Sequence, residues 1–406
     1  MRSLPAAERL RLLLGAFGDP GHAFPLIALG GELAARGHAV TLQTWSRWEP
    51  HVRAAGMEFA AAPEYHVFPT RERPLKPYEA VVRATGETRP LVASLRPDAV
   101  VADILTLAPA LAAELEGVEV ATVIPHVDPR FEPGWPPYSI GARLPRTAVG
   151  RRAWGAAAWV TDAGLEHGRR ELNETRRRLG LGPLRHVHGG ISRSLALVAT
   201  FPQLEYPRAG VASGTHVVGP LLWEPPFGEV ELPSGSGPLV LVAPSTSQDP
   251  SHSLLRAALE GLADAPVRVL ATTNRRPLEG EAAVPGNARL VDWVSYSKTM
   301  PRCEVVVCHA GHGTVARALA GGCVVVAVPA AGDMNENAAR IDWAGVGVRV
   351  PRRLCTPTPI RLAVERALAK PALRVRAREL AAWLQQHDPP AHAADLIERL
   401  AVRGTN

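Results

Sequence analysis

The sequence predicts an α/β protein made of two doubly wound, parallel-sheet domains that face each other across a cleft. The chain has 406 residues, which is more than one ordinary core contains, since domains usually hold about 100–200 residues. Short apolar runs rich in β-branched residues alternate with helical patterns in both halves of the chain. Between the halves lies a segment rich in Pro, Gly and Ser, residues 221–238, which predicts an interdomain linker.

The N-terminal domain is predicted to span residues 1–220 and to begin with a βαβ unit. Residues 10–17 are typical of a strand, residues 25–36 of a helix that a proline opens and Gly37 closes, and residues 39–44 of the next strand. Continuous apolar runs of this kind are typical of a parallel sheet that helices cover on both faces. Further strands are predicted at residues 99–102, 118–124 and 195–200.

The same alternation restarts after the linker and predicts a second domain over residues 239–385. The C-terminal segment, residues 386–406, is expected to form a helix that can pack back across the cleft. Strands are predicted at residues 239–243, 267–271, 288–291, 304–308 and 323–328, and helices at residues 251–263, from Thr314 onward, and at residues 358–370, 373–386 and 391–402.

The charge pattern favours an anionic small-molecule ligand over a nucleic acid. The formal net charge is +6, from 45 basic and 39 acidic residues, and the arginines are scattered, with the richest stretch at residues 143–185. This small, scattered excess of positive charge differs from the concentrated basic patch of a nucleic-acid-binding protein. It favours a nucleotide diphosphate, or a loose approach to anionic lipid headgroups, through the summed field of the surface.

The compartment is expected to be the cytoplasm. The four cysteines fall in one segment without C-x-x-C or histidine-rich metal spacing, so we interpret them as small buried apolar residues in a reducing environment. The first residues carry charges before any long apolar run, unlike a signal peptide. No stretch reaches the roughly 18 apolar residues of a membrane span, so stable membrane insertion is not expected.

A glycine-rich turn and a histidine follow the first predicted strand. Gly15, Gly18 and Gly21 have the spacing G-x-x-G-x-x-G and not the dinucleotide fingerprint G-x-G-x-x-G, which weakens an NAD hypothesis. His22 lies at the carboxyl end of the strand, where open α/β sheets bind ligands. An imidazole with a pKa of about 6.5 can accept a proton from a hydroxyl at neutral pH. His22 is therefore the candidate base. The alternative, of equal weight, is that His22 is a turn residue whose ring bonds only backbone groups.

Asp103 is the candidate partner of His22. A histidine base works better when a carboxylate orients its ring and stabilises the imidazolium. Asp103 ends a predicted strand, so it lies at the same edge of the sheet, whereas Asp98 and Asp128 are less well placed. The alternative is a helix N-cap, which is an ordinary role for aspartate in this position.

A strand, a glycine turn and a helix start at residues 304–320 predict a diphosphate site. The turn reads His309-Ala-Gly-His-Gly-Thr314. Free backbone N–H groups and the positive end of the helix dipole converge on an anion there, and glycines let the backbone approach closely. His309 is expected to add a side-chain donor. No Gly-Lys-Ser/Thr follows, which argues against nucleoside triphosphate hydrolysis.

Two other loops are predicted at the same edge of the second sheet. Residues 243–248 offer hydroxyl groups and backbone donors for the diphosphate, with Ser245 and Thr246 as candidates. Residues 329–338 bring Asp333 and Asn337 to the edge, where carboxylate and amide groups suit sugar hydroxyls. The alternative for Asp333 is a cap on the helix that follows.

An ordered set of motifs resembles the family 1 nucleotide-sugar glycosyltransferases, especially bacterial enzymes that glycosylate macrolides, enediynes and polyketides. The set covers most of the chain and both domains. Its members are Gly21-His-x-x-Pro25, Arg36-Gly-His-x-Val-Thr41, Asp292-Trp-Val294, His309-Ala-Gly-x-Gly-Thr314 and Pro329-x-x-x-Asp333-x-x-x-Asn337-Ala338.

The resemblance implies a GT-B fold of two Rossmann-like domains and an inverting hexosyltransferase-type reaction that needs no metal and no cofactor besides the nucleotide sugar. The N-terminal domain would hold a small hydrophobic hydroxylated acceptor, with His22 as base and Asp103 as its partner. The C-terminal domain would hold the donor, with Trp293 against the nucleobase. The candidate donor-binding residues are Ser245, Thr246, Trp293, Val294, His309, Gly311, His312, Gly313, Thr314, Asp333, Met334, Asn335 and Asn337.

Two departures from the family pattern concern the donor. Met334 stands where the family commonly has a glutamine that binds sugar hydroxyls, so either Asn335 replaces it or the donor is a deoxysugar. Arg317 stands where many UDP-sugar enzymes have a glutamate for the ribose, which favours dTDP, although UDP stays open. The chain has no D-x-D or His-x-x-x-His site for a metal.

Other functions remain open at this point. A lipid-acceptor glycosyltransferase at the membrane surface would show exposed apolar and basic residues on the N-terminal domain. A sugar-nucleotide epimerase on the same fold would need no acceptor pocket, and a catalytically silent helper protein would not need both His22 and Asp103. Residues 65–78 and 131–154 are expected to line the acceptor pocket, and the protein is expected to be a monomer or a homodimer.

Overall fold

The computed structural model contains two parallel sheets, one in each half of the chain. It describes residues 9–63, 76–130, 132–208, 210, 214–245, 249–278, 280 and 283–404. The seven-stranded N-terminal sheet has the order β3-β2-β1-β4-β5-β6-β7. Its strands are β1 (Arg11–Gly15), β2 (Ala39–Thr44), β3 (Glu58–Ala61), β4 (Ala99–Asp103), β5 (Val120–Ile124), β6 (Leu195–Val198) and β7 (Thr215–Val217).

The six-stranded C-terminal sheet has the order β10-β9-β8-β11-β12-β13. Because β8, β11 and β12 are fully buried apolar runs, helices cover them on both faces. No helix or strand is assigned between β7 and β8, where the linker is predicted. The strands are β8 (Leu239–Ala243), β9 (Arg268–Thr272), β10 (Ala288–Val291), β11 (Val305–Cys308), β12 (Val324–Ala327) and β13 (Gly347–Arg349).

Thirteen α-helices connect and cover the strands of the described residues. Six of them belong to the first half of the chain, and the other seven follow β8. They are α1 (Pro20–Ala35), α2 (Glu49–Ala54), α3 (Pro77–Leu95), α4 (Leu107–Leu115), α5 (Ala148–Ala156), α6 (Ala158–Leu179), α7 (Ser253–Gly261), α8 (Tyr296–Thr299), α9 (His312–Ala320), α10 (Asp333–Ala344), α11 (Pro357–Ala369), α12 (Pro371–Gln385) and α13 (Pro389–Gly404).

Helices α1 and α9 begin earlier than the sequence patterns predict, and both starts matter for the site. Helix α1 begins at Pro20, which supplies the favoured proline of a first turn, so Pro25 lies inside the helix. Helix α9 begins at His312 with Gly311 as its N-cap, two residues before Thr314. His22 and the glycine turn therefore lie in helical first turns.

The C-terminal helix α13 returns to the N-terminal domain. Its apolar face joins the core around β1, β4 and α1 through Ala393, Ile397 and Ala401. Arg36, at the end of α1, donates to Asp395 Oδ1 at 2.6 Å, to Glu398 Oε1 at 3.1 Å and to the Ala391 carbonyl at 2.9 Å. The limits of the two domains stay a prediction, but the Arg-Gly-His motif has a structural role in holding α13.

We expect Arg36→Ala to lower the free energy of unfolding by about 1–2 kcal/mol, because it leaves two carboxylates and a carbonyl without their common donor. The loss should appear in urea unfolding as a lower midpoint with an unchanged slope. Arg53→Ala is the matched control, since Arg53 is exposed and bonds Glu49 within α2. Equal midpoint shifts in the two variants would contradict this role of Arg36.

A buried ionic cluster joins the two halves beside the cleft. Arg340 on α10 is 1% exposed and donates to Glu336 at 2.8 Å and to the Leu204 carbonyl at 3.0 Å. Its guanidinium also lies 3.4 Å from Glu205 and stacks over the Tyr206 ring at 3.5 Å. The cluster fixes α10 against the N-terminal half and thereby sets the position of Asp333 at the start of the same helix.

Candidate active site

A cavity of about 350 Å³ lies between the carboxyl ends of the two sheets. Helix α1 and the loop after β5 form its N-terminal wall, and the loops after β8, β11 and β12 form its C-terminal wall. Parallel sheets place their ligand sites at this edge. The predicted site residues among its lining are His22, Ser245, Trp293, His309, Gly311, His312, Gly313, Thr314, Asp333 and Met334.

His22 and Asp103 form a hydrogen-bonded pair at the wall of this cavity. Strands β1 and β4 are neighbours, so the start of α1 and the last residue of β4 meet at one edge. His22 Nδ1 lies 2.8 Å from Asp103 Oδ1, and the carboxylate is fully buried. Asp103 Oδ2 accepts from the Phe17 N–H at 3.3 Å. Asp103 is not the N-cap of α4, because Thr106 holds that position.

The pair orients the His22 ring and makes it a stronger base. Burial lowers the pKa of the His22 imidazole, but the charge and hydrogen bond of Asp103 outweigh burial, so the pKa lies above its usual value. With Nδ1–H donated to the carboxylate, Nε2 carries the lone pair that a ligand hydroxyl can reach. The arrangement can take a proton and stabilise the resulting imidazolium.

The turn between β11 and α9 presents backbone donors to the cavity. The Thr314 and Val315 N–H groups bond the Gly311 carbonyl, whereas the N–H groups of His312 and Gly313 have no backbone partner among the described residues. These two donors lie at the positive end of α9, where an anion binds well. The helix start offers these donors where the sequence predicts a phosphate site, and that site stays a prediction.

The turn is held in a strained backbone conformation by a buried amide. Ala310 has a positive φ of 60°, which costs a non-glycine residue about 1–3 kcal/mol. Asn337 Nδ2 donates to the Ala310 carbonyl at 2.9 Å and lies 3.3 Å from Asp333 Oδ2. Asn337 is almost fully buried. The Asn337 amide, which is predicted to bind sugar hydroxyls, therefore supports the turn between β11 and α9 instead.

The ring of His309 is engaged by protein groups in this conformation. Its Nδ1 accepts from the Ser245 N–H at 2.9 Å, and its Nε2 lies 3.6 Å from Asp249 Oδ2. Burial lowers the pKa of the imidazole even though Asp249 acts in the opposite direction. His309 thus ties the loop after β8 to the turn. Thr246 lies outside the described residues.

His312 is a neutral, buried side chain at the first position of α9. Burial lowers the pKa of its imidazole to about 3. It is 7% exposed, so it contributes its backbone N–H to the turn rather than a charged side chain.

An aromatic platform closes one end of the cavity. The rings of Trp293 and Tyr296 are nearly parallel, 14° apart, with centroids separated by 6.4 Å. The guanidinium of Arg275 lies 4.7 Å from the Trp293 ring centroid. Such surfaces stack on flat bases and cations. Val294, by contrast, is buried in the C-terminal core and is absent from the cavity lining.

The loop after β12 brings Asp333 and Met334 to the cavity but not Asn335. Gly332 caps α10 with φ 56° and ψ −132°, a conformation that favours glycine, and Asp333 is the first residue of the helix. Asn335 lies beside Gly141 of the N-terminal half and is not part of the lining. Asn335 therefore does not replace the glutamine that the family commonly has where this chain has Met334.

The sequence interpretation missed His126 and Glu224, which line the same cavity. His126 follows β5. The rule that ligands bind at the carboxyl ends of parallel strands could therefore have identified it. Its Nδ1 lies 2.8 Å from the Val127 carbonyl, and burial lowers the pKa of the ring. Glu224, in the linker, accepts from Ser295 Oγ at 2.6 Å and lies 3.9 Å from Arg317.

No group of three or more His, Cys, Asp or Glu side chains that could hold a metal ion occurs within the described residues. Over the same part of the chain, no helix has the length and apolarity needed to cross a bilayer.

The chain is similar in sequence to known glycosyltransferases. Residues 256–400 match the model of the erythromycin biosynthesis protein CIII-like C-terminal domain. The chain is 28% identical to the 4'-demethylrebeccamycin synthase of Lentzea aerocolonigenes, over 96% of this chain and 99% of that protein. It is 29% identical to the O-mycaminosyltylonolide 6-deoxyallosyltransferase of Streptomyces fradiae, over 98% and 99%.

The fold agrees with these relationships. The kitacinnamycin glycotransferase superposes with a TM-score of 0.77 at 22% identity, over 98% of this chain and 100% of that one. The predicted fold class and the predicted family resemblance are confirmed. The chain is a glycosyltransferase of the GT-B type, homologous over nearly its whole length to natural-product glycosyltransferases.

Proposed function

We propose that the protein transfers a sugar, with inversion, from a nucleotide diphosphate sugar to a hydroxyl of a small hydrophobic natural product. The observation that carries the proposal is one cavity lined by His22, whose ring bonds Asp103, from one half and by the N-terminus of α9 from the other. His22 and the start of α9 line the same cavity, so the proposed base and leaving-group site border the space that an anomeric carbon would occupy. Displacement from the face away from the diphosphate would invert the configuration of that carbon.

The reaction then proceeds as a single displacement. His22 Nε2 takes the proton of the acceptor hydroxyl, the oxygen forms a bond to the anomeric carbon, and the bond from that carbon to the diphosphate oxygen breaks. Asp103 stabilises the imidazolium that forms. The N–H groups of His312 and Gly313 and the dipole of α9 stabilise the departing negative charge, which is preorganised electrostatic catalysis.

The donor that fits this cavity best is a dTDP-linked deoxysugar. Met334 lines the cavity and offers no hydrogen bond to a sugar hydroxyl. Arg317 is partly buried and donates to the carbonyls of Gly313 and Trp223, so no carboxylate on α9 is available for a ribose 2′-hydroxyl. A relative of similar length is named as a 6-deoxyallosyltransferase.

The donor preference can be measured by thermal unfolding with added nucleotides. We expect thymidine diphosphate to raise the midpoint at lower concentration than uridine diphosphate, because a ligand of the native state stabilises it by mass action. Equal effects of both nucleotides would contradict the dTDP preference while leaving glycosyl transfer intact. No effect of either nucleotide would contradict the donor site itself.

Gly332→Ala should lower kcat/KM for the donor by about 10–100-fold, because the strain of about 1–3 kcal/mol at this φ and ψ would displace Asp333. No atom of the surroundings lies within 4 Å of the added Cβ, so the effect reports backbone strain rather than a clash. Gly86→Ala in α3 is the matched control, with open space and an ordinary φ. If both variants keep wild-type kcat/KM, the predicted binding of sugar hydroxyls by Asp333 is contradicted.

A further inference from the structure

Helices α5 and α6 form an unusual surface on the N-terminal half of the protein. Only Ala157 separates them, and it keeps right-handed helical angles, so the path is nearly continuous. No residue of α5 is buried, and the buried residues of α6, Thr175 and Arg176, lie near its far end. The first half of this path therefore exposes most of its side chains to the surroundings.

Large apolar side chains are exposed on this path. Val149 is 75% exposed and Trp159 is 71% exposed, and Val160 beside it is also exposed. Val149 and Val160 are eleven residues apart, which is about three helical turns, so they lie on one face. Single exposed apolar residues are common, but a tryptophan and two valines on one helical path indicate a contact surface.

Arginines accompany the apolar residues, and their own segment supplies no acidic residue. Residues 139–161 contain four arginines and no aspartate or glutamate. Arg143 pairs with Asp342 at 2.5 Å. The other three, Arg146, Arg151 and Arg152, are exposed, and no carboxylate of the described residues lies within 4.0 Å of them. We call residues 143–160 the docking surface.

We propose that the docking surface binds the face of an anionic lipid bilayer. Trp159, Val149 and Val160 would enter the boundary between headgroups and acyl chains, where tryptophan is favoured, while the arginines contact lipid phosphates. The enzyme would then act at the membrane surface without spanning it. This location suits an acceptor that partitions into lipid, whichever nucleotide sugar the cavity binds.

The charge distribution favours a lipid surface over a second copy of the chain. A symmetric dimer through this surface would bury the same patch of both copies, and residues 143–160 supply no carboxylate to pair with the arginines. An anionic bilayer instead offers phosphates to every arginine at once. Each basic side chain near such a surface adds to the attraction, and the attraction weakens with salt.

The test is sedimentation of the full chain with vesicles of phosphatidylcholine alone or mixed with phosphatidylglycerol. We expect binding only to the mixed vesicles, and weaker binding at high salt. Arg151→Glu/Arg152→Glu should lower partitioning by about tenfold or more, and Trp159→Ala/Val160→Ala should lower it by a similar factor. Unchanged thermal midpoints would show that both exposed sites tolerate the changes.

The matched control is Arg353→Glu/Lys370→Glu, which makes the same change in net charge at exposed positions of the C-terminal half. It should keep wild-type partitioning. Equal loss in this control would overturn the proposal in favour of diffuse charge, and so would a lack of binding to the mixed vesicles. The proposal also fails if Trp159→Ala/Val160→Ala abolishes a dimer in analytical ultracentrifugation, or raises the KM of a water-soluble acceptor without lipid.

Discussion

His22→Ala should lower kcat by about 10²–10⁴-fold, the range of a lost general base. The substitution removes the atom that takes the acceptor proton but leaves the α9 turn and the aromatic platform untouched. Nucleotide binding should therefore stay near the wild-type value. Turnover is measured with saturating donor, and binding of thymidine diphosphate is measured by calorimetry.

The control for this variant is His167→Ala on α6, which removes an exposed histidine remote from the cavity lining. It should keep full activity. Loss of nucleotide binding in His22→Ala would contradict the role of base and assign His22 to the donor site. Full turnover in His22→Ala would contradict it as well.

Asp103→Asn should lower kcat/KM by about 10²-fold or more while keeping the shape of the site. The amide of asparagine would donate to His22 Nδ1, so the ring would carry its proton mainly on Nε2, and only the minor tautomer could act as a base. Asp98→Asn is the matched control, because Asp98 bonds the Arg11 N–H just before the same strand begins, away from the cavity. Equal losses in the two variants would contradict a specific role of Asp103.

The pH profile of Asp103→Asn gives a second, independent result. His22 must be neutral to accept a proton, so activity falls as pH drops through its pKa. Asp103 holds that pKa above the usual value against the effect of burial. Without the carboxylate, burial dominates and the pKa falls. The acid limb of kcat/KM should therefore move to lower pH in the residual activity, and a limb that stays in place would contradict the pairing.

Much of the fold could be predicted because buried parallel strands are apolar runs with clear ends. The bounds of β2, β8 and β10 agree with the sequence patterns. The start of α1 could not be predicted in the same way. Pro20 and Pro25 both suit the first turn of a helix, and the sequence alone does not distinguish the two starts. The path of α5 and α6 has no buried apolar side chain, so no apolar periodicity marked its ends.

The candidate site could be predicted where strand ends alone position a residue. His22 and Asp103 lie 81 residues apart, yet the adjacency of β1 and β4 brings them to 2.8 Å. The direction of a side chain on a helix is harder to predict. Asn337 lies one turn after Asp333 but faces Ala310, and Asn335 faces the other half of the protein.

The central claim is direct displacement by a hydroxyl that His22 activates, and the anomeric configuration of the released sugar tests it most directly. The protein is incubated with an α-linked dTDP sugar alone, so that water takes the place of the acceptor. The sugar is observed by proton NMR before mutarotation. We predict that the β-anomer appears first. Initial release of the α-anomer would contradict inversion, and a nucleotide sugar of altered configuration with no free sugar would indicate an epimerase.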